Sequence, residues 1–461
     1  MLQDRHETDK FFDDIAAQTV QMDPVLAQID ELLEDEELYQ LMRNDFAKRY
    51  PLTEVTGRKS TPVEVILRML TIKQLYGLSY AQTEYQVRDS LVLRQFCRVY
   101  FEDVPDDTTL IRWANLIAAE TLVAFNQRIT QLATELKITR GRKLRTDGTV
   151  VETHIHAPSD SSLLADSVRV IGRTLQRAKQ LITEPAHLGP QVFRDRSRSA
   201  RKVARQVQRL VARQKDAGKQ AYRRLVRIAQ QSVTQAKQVL EEIQESDPQP
   251  VQRIKETLET FVARAEQVIE QTVRRVFQDE QVPASEKIVS IFEPHTAIIR
   301  RGKANKPVEY GRKVWLDEVE GGIVTHWRVL DGNPSDKDQW IPSLDAHQQL
   351  FGKPPTQASA DRGVFSTANE TEAERRGIQR VVLPKPGKKS EQRCQKERHA
   401  WFRSARKWHA GIEGRISVLK RCYQLDRCLN RGEDGFQRWI GWGVIAHNLK
   451  KVGTTMTARS A

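Results

Sequence analysis

Three carboxylates far apart in the chain carry the chemistry that this sequence suggests most strongly. Asp147 stands in "TDGTVVETHIH", where the strand formers Val150, Val151 and Ile155 alternate with acids and histidines. Asp361 closes "TQASAD" and is followed at once by Arg362-Gly363, a small turn that leaves a carboxylate at a strand's exposed end. Such ends of α/β sheets are where ligands and metals gather. Glu413 lies in "WHAGIEGRISVLKR" between Gly411 and Gly414. Each glycine costs a helix interior ~1 kcal/mol, so the pair hints at another group approaching closely. Arg406, His409, Glu413 and Lys420 share one helical stripe. Beside it runs an apolar stripe of Trp401, Ala405, Trp408, Ile412, Ile416, Leu419 and Tyr423, expected to pack on a sheet.

Taken alone, Asp147 fits a turn, a metal site or a hydrogen-bonded core carboxylate. Glu152, His154 and His156 fall at odd separations from it, hence on the opposite face of an unbroken strand. His154 and His156 share a face and suit zinc, though no third ligand type lies nearby. A surface salt-bridge ladder would also produce the stripe around Glu413. Two-metal phosphoryl transfer accounts for the whole set of acids. Hard carboxylate oxygens suit Mg²⁺, and two such ions would activate an attacking oxygen and stabilise a departing one. Basic neighbours would hold phosphates, so Arg362, Arg406, His409, Arg415 and Lys420 are the expected DNA-phosphate contacts.

The elements that must position these acids change character along the chain. Residues 1–140 read as helical, with Gly77 and Ser79 as a break and restart, and with Asp106, Asp107 or Thr108 as an N-cap. Arg88, Arg94, Arg98 and Arg112 among short helices fit a helix-turn-helix-like DNA reader or a plain bundle. Residues 141–162 and 286–450 mix strands and helices as an α/β layer fold. Within them Gly321-Gly322 marks a hairpin, Thr367 with Glu370 a capping box, and Gly377 a helix stop. The helix of Glu413 is expected to begin near residue 392. Residues 163–285 have few aromatics and regular helical periodicity, predicting an inserted antiparallel helical hairpin, and 451–461 a flexible tail.

Charge points to a polyanionic partner. Lys and Arg number 74 against 60 Asp and Glu, a formal net charge of +14. The surplus is uneven. Residues 1–40 hold 12 acids and 2 bases, 191–240 hold 14 bases and 2 acids, and 385–421 hold 12 bases and 3 acids. The two basic blocks suggest a footprint for phosphates. The 4 cysteines form no Cys-x-x-Cys pair, no signal peptide is visible, and no apolar run nears the ~20 residues that span a bilayer. A cytoplasmic protein with no membrane partner is expected.

The stretches "TDGTVVET", "SADRGVF" and "WHAGIEGRISVLKR", in that order, resemble bacterial insertion-sequence transposases of the DDE type, most nearly the ISNCY-type group, which carries a helical insertion after the first acid. Residues 60–117 are similar to the N-terminal domain of many such transposases. The resemblance implies a ribonuclease H-like α/β catalytic domain with a large α-helical insertion, preceded by an all-α N-terminal domain for DNA binding or dimerisation. It implies that Asp147, Asp361 and Glu413 are catalytic and bind two Mg²⁺ ions, with Mn²⁺ as a substitute. The implied partners are terminal inverted repeats, target DNA and a second copy of the chain in a paired-end complex at the bacterial nucleoid. Related helices carry Tyr, Arg, Glu and Lys where this one has Arg406, His409, Glu413 and Lys420; the last two match. A catalytically inactive DNA-binding descendant and a general ribonuclease H-like nuclease are the alternatives.

Overall fold

The computed structural model describes residues 1–7, 9–19, 21–50, 52–181, 189–300 and 307–460. The chain divides into two compact units, one of Met1–Glu152 with Arg312–Ala461 and one of Thr153–Gly311. The boundary expected at residue 140 is therefore not a boundary. A single apolar cluster runs from Leu38 and Phe46 of the helical region through Trp315 and Ala358 of the sheet to Val452.

The helical part of the first unit starts and stops where its polar residues dictate. Asp23 caps Pro24–Leu32 by accepting from the amides of Val25 and Leu26. Ser79 and Gln82 form a reciprocal capping box after the left-handed Gly77, and Asp106 caps Asp107–Ala114. Val63–Leu75 is buried on all sides, as a helix at the centre of a bundle must be. The expected tail is helical instead. Gly432–Ser460 is one helix, with Val452 and Gly453 buried, and a Cβ on Gly453 would lie 3.0 Å from the Val25 carbonyl. That close approach explains why 451–460 is held in place.

The strands are β1 (Lys143–Thr153), β2 (Ala297–Ile299), β3 (Glu309–Val319), β4 (Ile323–Leu330), β5 (Gln357–Ala360), β6 (Arg380–Val382) and β7 (Arg427–Cys428). They form an open mixed sheet of order β2-β3-β1-β5-β6, with β4 on β3 and β7 on β1. β1, β5 and β6 run parallel, and β3 and β4 form an antiparallel hairpin through Gly321 and Gly322. Both glycines have positive φ, and Gly322 also leaves room for the Arg415 guanidinium. The capping box expected at Thr367 and Glu370 is shifted. Ser366 caps Thr367–Arg375, while Glu370 pairs with Arg393 and Lys396. The helix expected from residue 392 is two, Glu391–Arg398 and Ala400–Cys422, divided at His399.

The second unit is larger than the predicted hairpin and differently built. Asp160–Leu181, Ser197–Leu210, Lys215–Glu242 and Gln249–Val276 are its long helices among the described residues. Each presents an apolar stripe, and two clusters bury them, one around Leu164, Val207 and Leu225, the other around Leu175, Val239 and Leu258. Two helices would leave such stripes in water; four close over them. Ile288 and Ile291 join the first cluster, so the chain after 285 still belongs to the insertion. Here β2 pairs with Glu309–Gly311. Part of the predicted insertion, 182–188, lies outside the described residues.

Candidate active site

Asp147 is half-buried in mid-β1, and its Oδ1 accepts from the Gly148 amide at 2.7 Å. Gly148 packs closely, because a Cβ there would stand 3.0 Å from the Trp315 ring. Glu152 pairs with Arg427 at 2.9 Å and His156 with Asp166 at 2.9 Å, while His154 is exposed.

Asp361 follows the last residue of β5 and begins a short 3-10 turn over Arg362–Val364. Its side chain is 67% exposed and its Oδ1 lies 3.3 Å from His409 Nε2. His409 itself is buried, and its Nδ1 has no hydrogen-bond partner among the described residues. One helical turn beyond it, Glu413 is exposed and makes no ion pair or hydrogen bond among the described residues. A single cleft of about 180 Å³ is lined by Asp147, Asp361 and Glu413 together with Arg362, Arg406 and His409. Val382 and Ile412 supply apolar wall. Three acids from distant parts of the chain thus open onto one space, with two guanidinium groups in its lining. Among the described residues no group of three or more His, Cys, Asp or Glu stands close enough to hold a metal ion.

The remaining expected phosphate contacts are placed elsewhere. Lys420 Nζ donates to the Val150 carbonyl at 2.7 Å, tying the Glu413 helix to β1. Arg415 is inside a polar network, donating to Glu318 Oε1 at 3.1 Å and to His447 Nε2 at 2.7 Å. Nor is the apolar stripe quite the predicted one. Phe402, Ala405, His409, Ile412 and Leu419 are the buried residues of the helix, whereas Trp401, Trp408 and Ile416 are half-buried.

The sequence reading overlooked Arg145. It lies two residues before Asp147, on the same face of β1. Its guanidinium grips the fully buried Glu318 with two bonds, 2.9 and 2.7 Å, and also donates to the Trp408 carbonyl of the Glu413 helix. Gly411 makes this reach feasible, since a Cβ there would fall 2.4 Å from Arg145 Nη1; around Gly414 the space is open. The signal was present in the sequence as an arginine at i−2 from the acid and a glycine inside the facing helix. The network continues from His447 to Asn448, whose amide donates to Asn126 Oδ1 at 2.8 Å and to the Val324 carbonyl at 2.7 Å. Burial and the neighbouring Arg415 push His447 down to about 3, so it is neutral and can accept from Arg415. Asp317, on β3, is buried. Burial opposes its ionisation, but His326 and the charge of Arg328 outweigh that and hold it below the usual carboxylate range.

Among known proteins, residues 14–116 match the family described as "Transposase domain (DUF772)", and residues 368–453 match the family described as "Transposase DDE domain". Two stretches of this chain are thus similar to transposase domains. The first covers most of the N-terminal helices and the second contains Glu413, while Asp147 and Asp361 lie outside both. No curated protein and no solved structure matches the chain. Among the described residues no helix is long and apolar enough to cross a membrane.

Proposed function

We propose that this chain is a DDE transposase of an insertion sequence, with a ribonuclease H-like catalytic domain of the ISNCY type that cuts element ends and joins them to target DNA. The observation that carries the reading is the shared cleft of Asp147, Asp361 and Glu413, which pairs with the transposase-domain matches at 14–116 and 368–453. The donor set suits Mg²⁺, or Mn²⁺ in its place, because all three groups offer hard oxygen. Asp147, Asp361 and Glu413 would hold two such ions. When bound, the ions would activate water or a 3′-hydroxyl and stabilise the leaving oxygen.

The chain's own residues do the rest. Arg362 and Arg406 border the cleft and would take DNA phosphates, Arg406 as a planar fork. His409 would orient Asp361 through their 3.3 Å contact. Asp361 and Glu413 are exposed, so their side chains turn inward at little packing cost, whereas Asp147 is fixed in mid-strand. A homodimer bringing two element ends together completes the proposal.

A second reading, a DNA-binding descendant without catalysis, is favoured by one observation: no three potential ligands stand within metal-holding distance among the described residues. Cleavage separates the two. The full chain with Mg²⁺ and linear DNA carrying the ends that flank its gene should nick at those ends. Asp147→Asn, Asp361→Asn and Glu413→Gln should reduce nicking to background while leaving end binding intact. Equal nicking by the wild type and all three variants would overturn the assignment. Cutting of any duplex regardless of its ends would favour a general nuclease.

A further inference from the structure

The helix Ser197–Leu210 of the inserted unit divides its residues cleanly by chemistry. Ala200, Val203, Ala204 and Val207 are buried. Arg198, Arg201, Lys202, Arg205 and Arg209 are all exposed. At 100° per residue these five cations fall within an arc of about 100°, directly opposite the apolar face. None of them forms an ion pair or hydrogen bond among the described residues. No Asp or Glu occurs between Asp195 and Asp216. Asp166, the acid in the surface cleft that Arg201 and Arg205 help to line, is already held by His156 and Arg169.

From this arrangement we infer that Ser197–Leu210 is a docking surface for the phosphate backbone of duplex DNA, gripping it outside the catalytic cleft. The inference rests on DNA being the partner in the proposed function, and it assigns that contact to five named side chains. From Arg198 to Arg209 the stripe is about 16 Å long, a length over which a duplex presents roughly ten phosphate charges. Uncompensated like charges at i, i+3 and i+4 destabilise an isolated helix. Their retention on the solvent face, with acids excluded, is what a polyanion partner would reward. A membrane surface fits less well, because the helix's apolar face is already covered by Leu225, Val226 and Ala229. The proposed contact is to phosphates, which position a protein on a duplex without carrying sequence information.

The test uses the full chain and a fluorescent duplex of unrelated sequence, titrated across a salt series. The variant replaces Arg198, Arg201, Lys202, Arg205 and Arg209 by Gln, exposed changes that keep helix propensity; circular dichroism checks that the fold persists. We expect affinity to fall at least roughly tenfold near physiological salt, and the slope of log K against log salt to shrink by about three to five. Unchanged affinity and slope would overturn the proposal. So would a changed oligomeric state, measured by ultracentrifugation, with DNA binding intact, which would assign the stripe to a second copy of the chain. Stripe-dependent binding without nicking at gene-flanking ends would sink the catalytic reading and leave this one standing. Nicking that survives while the variant binds as the wild type does would do the reverse.

Discussion

The helices Val63–Leu75 and Ser197–Leu210 are of similar length, and both carry arginine, yet they treat it in opposite ways. Arg68 is fully buried at the centre of the N-terminal bundle, where it meets Asp30, Glu34 and Glu64 and lies over the Phe96 ring. The cations of Ser197–Leu210 all face water without a counter-charge among the described residues. A count of basic residues cannot tell these situations apart. The 12 acids in the first 40 residues look like a region indifferent to DNA, but several are internal partners. Asp30 and Glu34 hold Arg68 and Arg98, and Asp35 holds Arg128. Of the four arginines that suggested a helix-turn-helix reader, Arg94 donates to the carbonyls of Arg88, Tyr100 and Glu102, and Arg98 is committed to acids. Arg88 and Arg112 remain exposed.

The largest expected effect lies on the buried side of this comparison. Arg68→Ala removes the fully buried cation shared by Asp30, Glu34 and Glu64, leaving the 7% exposed Glu64 to the more distant Arg5 at 3.5 Å and Arg98 at 3.9 Å. Breaking such a cluster from one side costs roughly 3–5 kcal/mol. Urea denaturation of the first unit's fluorescence should show that loss. A change below about 1 kcal/mol would mean that Arg5 and Arg98 suffice for the acids and that burial is not what separates the two helices.

The second effect asks whether the other buried network accepts one more proton. His447 has a folded value of about 3 against 6.5 for the free side chain, so the unfolded chain binds more protons between these limits. Its contribution to stability is complete above pH 6.5 and is lost as pH falls toward 3. Between pH 6.5 and 4 the loss is about 3 kcal/mol. His447→Gln should flatten the stability–pH curve across that window relative to wild type. Parallel curves would show that His447 is not the neutral acceptor of Arg415.

Next comes the glycine pair flanking Glu413. Gly411→Ala would press a methyl against Arg145 and loosen its bond to the Trp408 carbonyl, costing about 1–3 kcal/mol. Because that bond sets the Glu413 helix against β1, nicking activity should fall as well. Gly414→Ala meets open space and should stabilise by up to about 1 kcal/mol. If the two changes had equal effects on thermal melting, the Arg145 approach would not be the reason for Gly411.

These contrasts mark what the sequence could and could not convey. Local signals translated well: the Gly321-Gly322 turn, the Ser79 restart and the Asp106 cap each depend on residues within a few positions. Asp147, Asp361 and Glu413 line one cleft, Asp361 from a strand end and Glu413 from a helix, whereas Asp147 stands in mid-strand. What failed depended on distant partners. A helical wheel places Lys420 near Glu413, but it shows neither the Val150 carbonyl that takes up Lys420 nor the Glu318 carboxylate that takes up Arg415. The shift of the cap from Thr367 to Ser366 has a related cause, since Glu370 is drawn away by Arg393 and Lys396. The inserted unit spans 153–311 rather than 163–285; after residue 285 the chain folds back onto Gln249–Val276, where Gln271 and Arg264 bond the Ile288 and Ile291 carbonyls.

The smallest effect is expected on the exposed side, and its smallness is informative. Arg205→Gln removes a charge that touches no acid among the described residues and keeps a good helix former on a solvated face. Stability should therefore change by less than about 0.5 kcal/mol. A slight gain is the sharper expectation, because Arg201, Lys202 and Arg209 stand three or four residues away and repel it. The sign should also depend on salt: screening weakens repulsion between exposed charges, so any gain seen at low ionic strength should vanish near 1 M, where the Debye length is about 3 Å. Melting of the variant beside wild type at both salt concentrations measures this directly. A loss of more than 1 kcal/mol would mean that Arg205 has an internal role after all, and the division between sealed and solvent-facing arginines would fail at the helix where it is drawn most clearly.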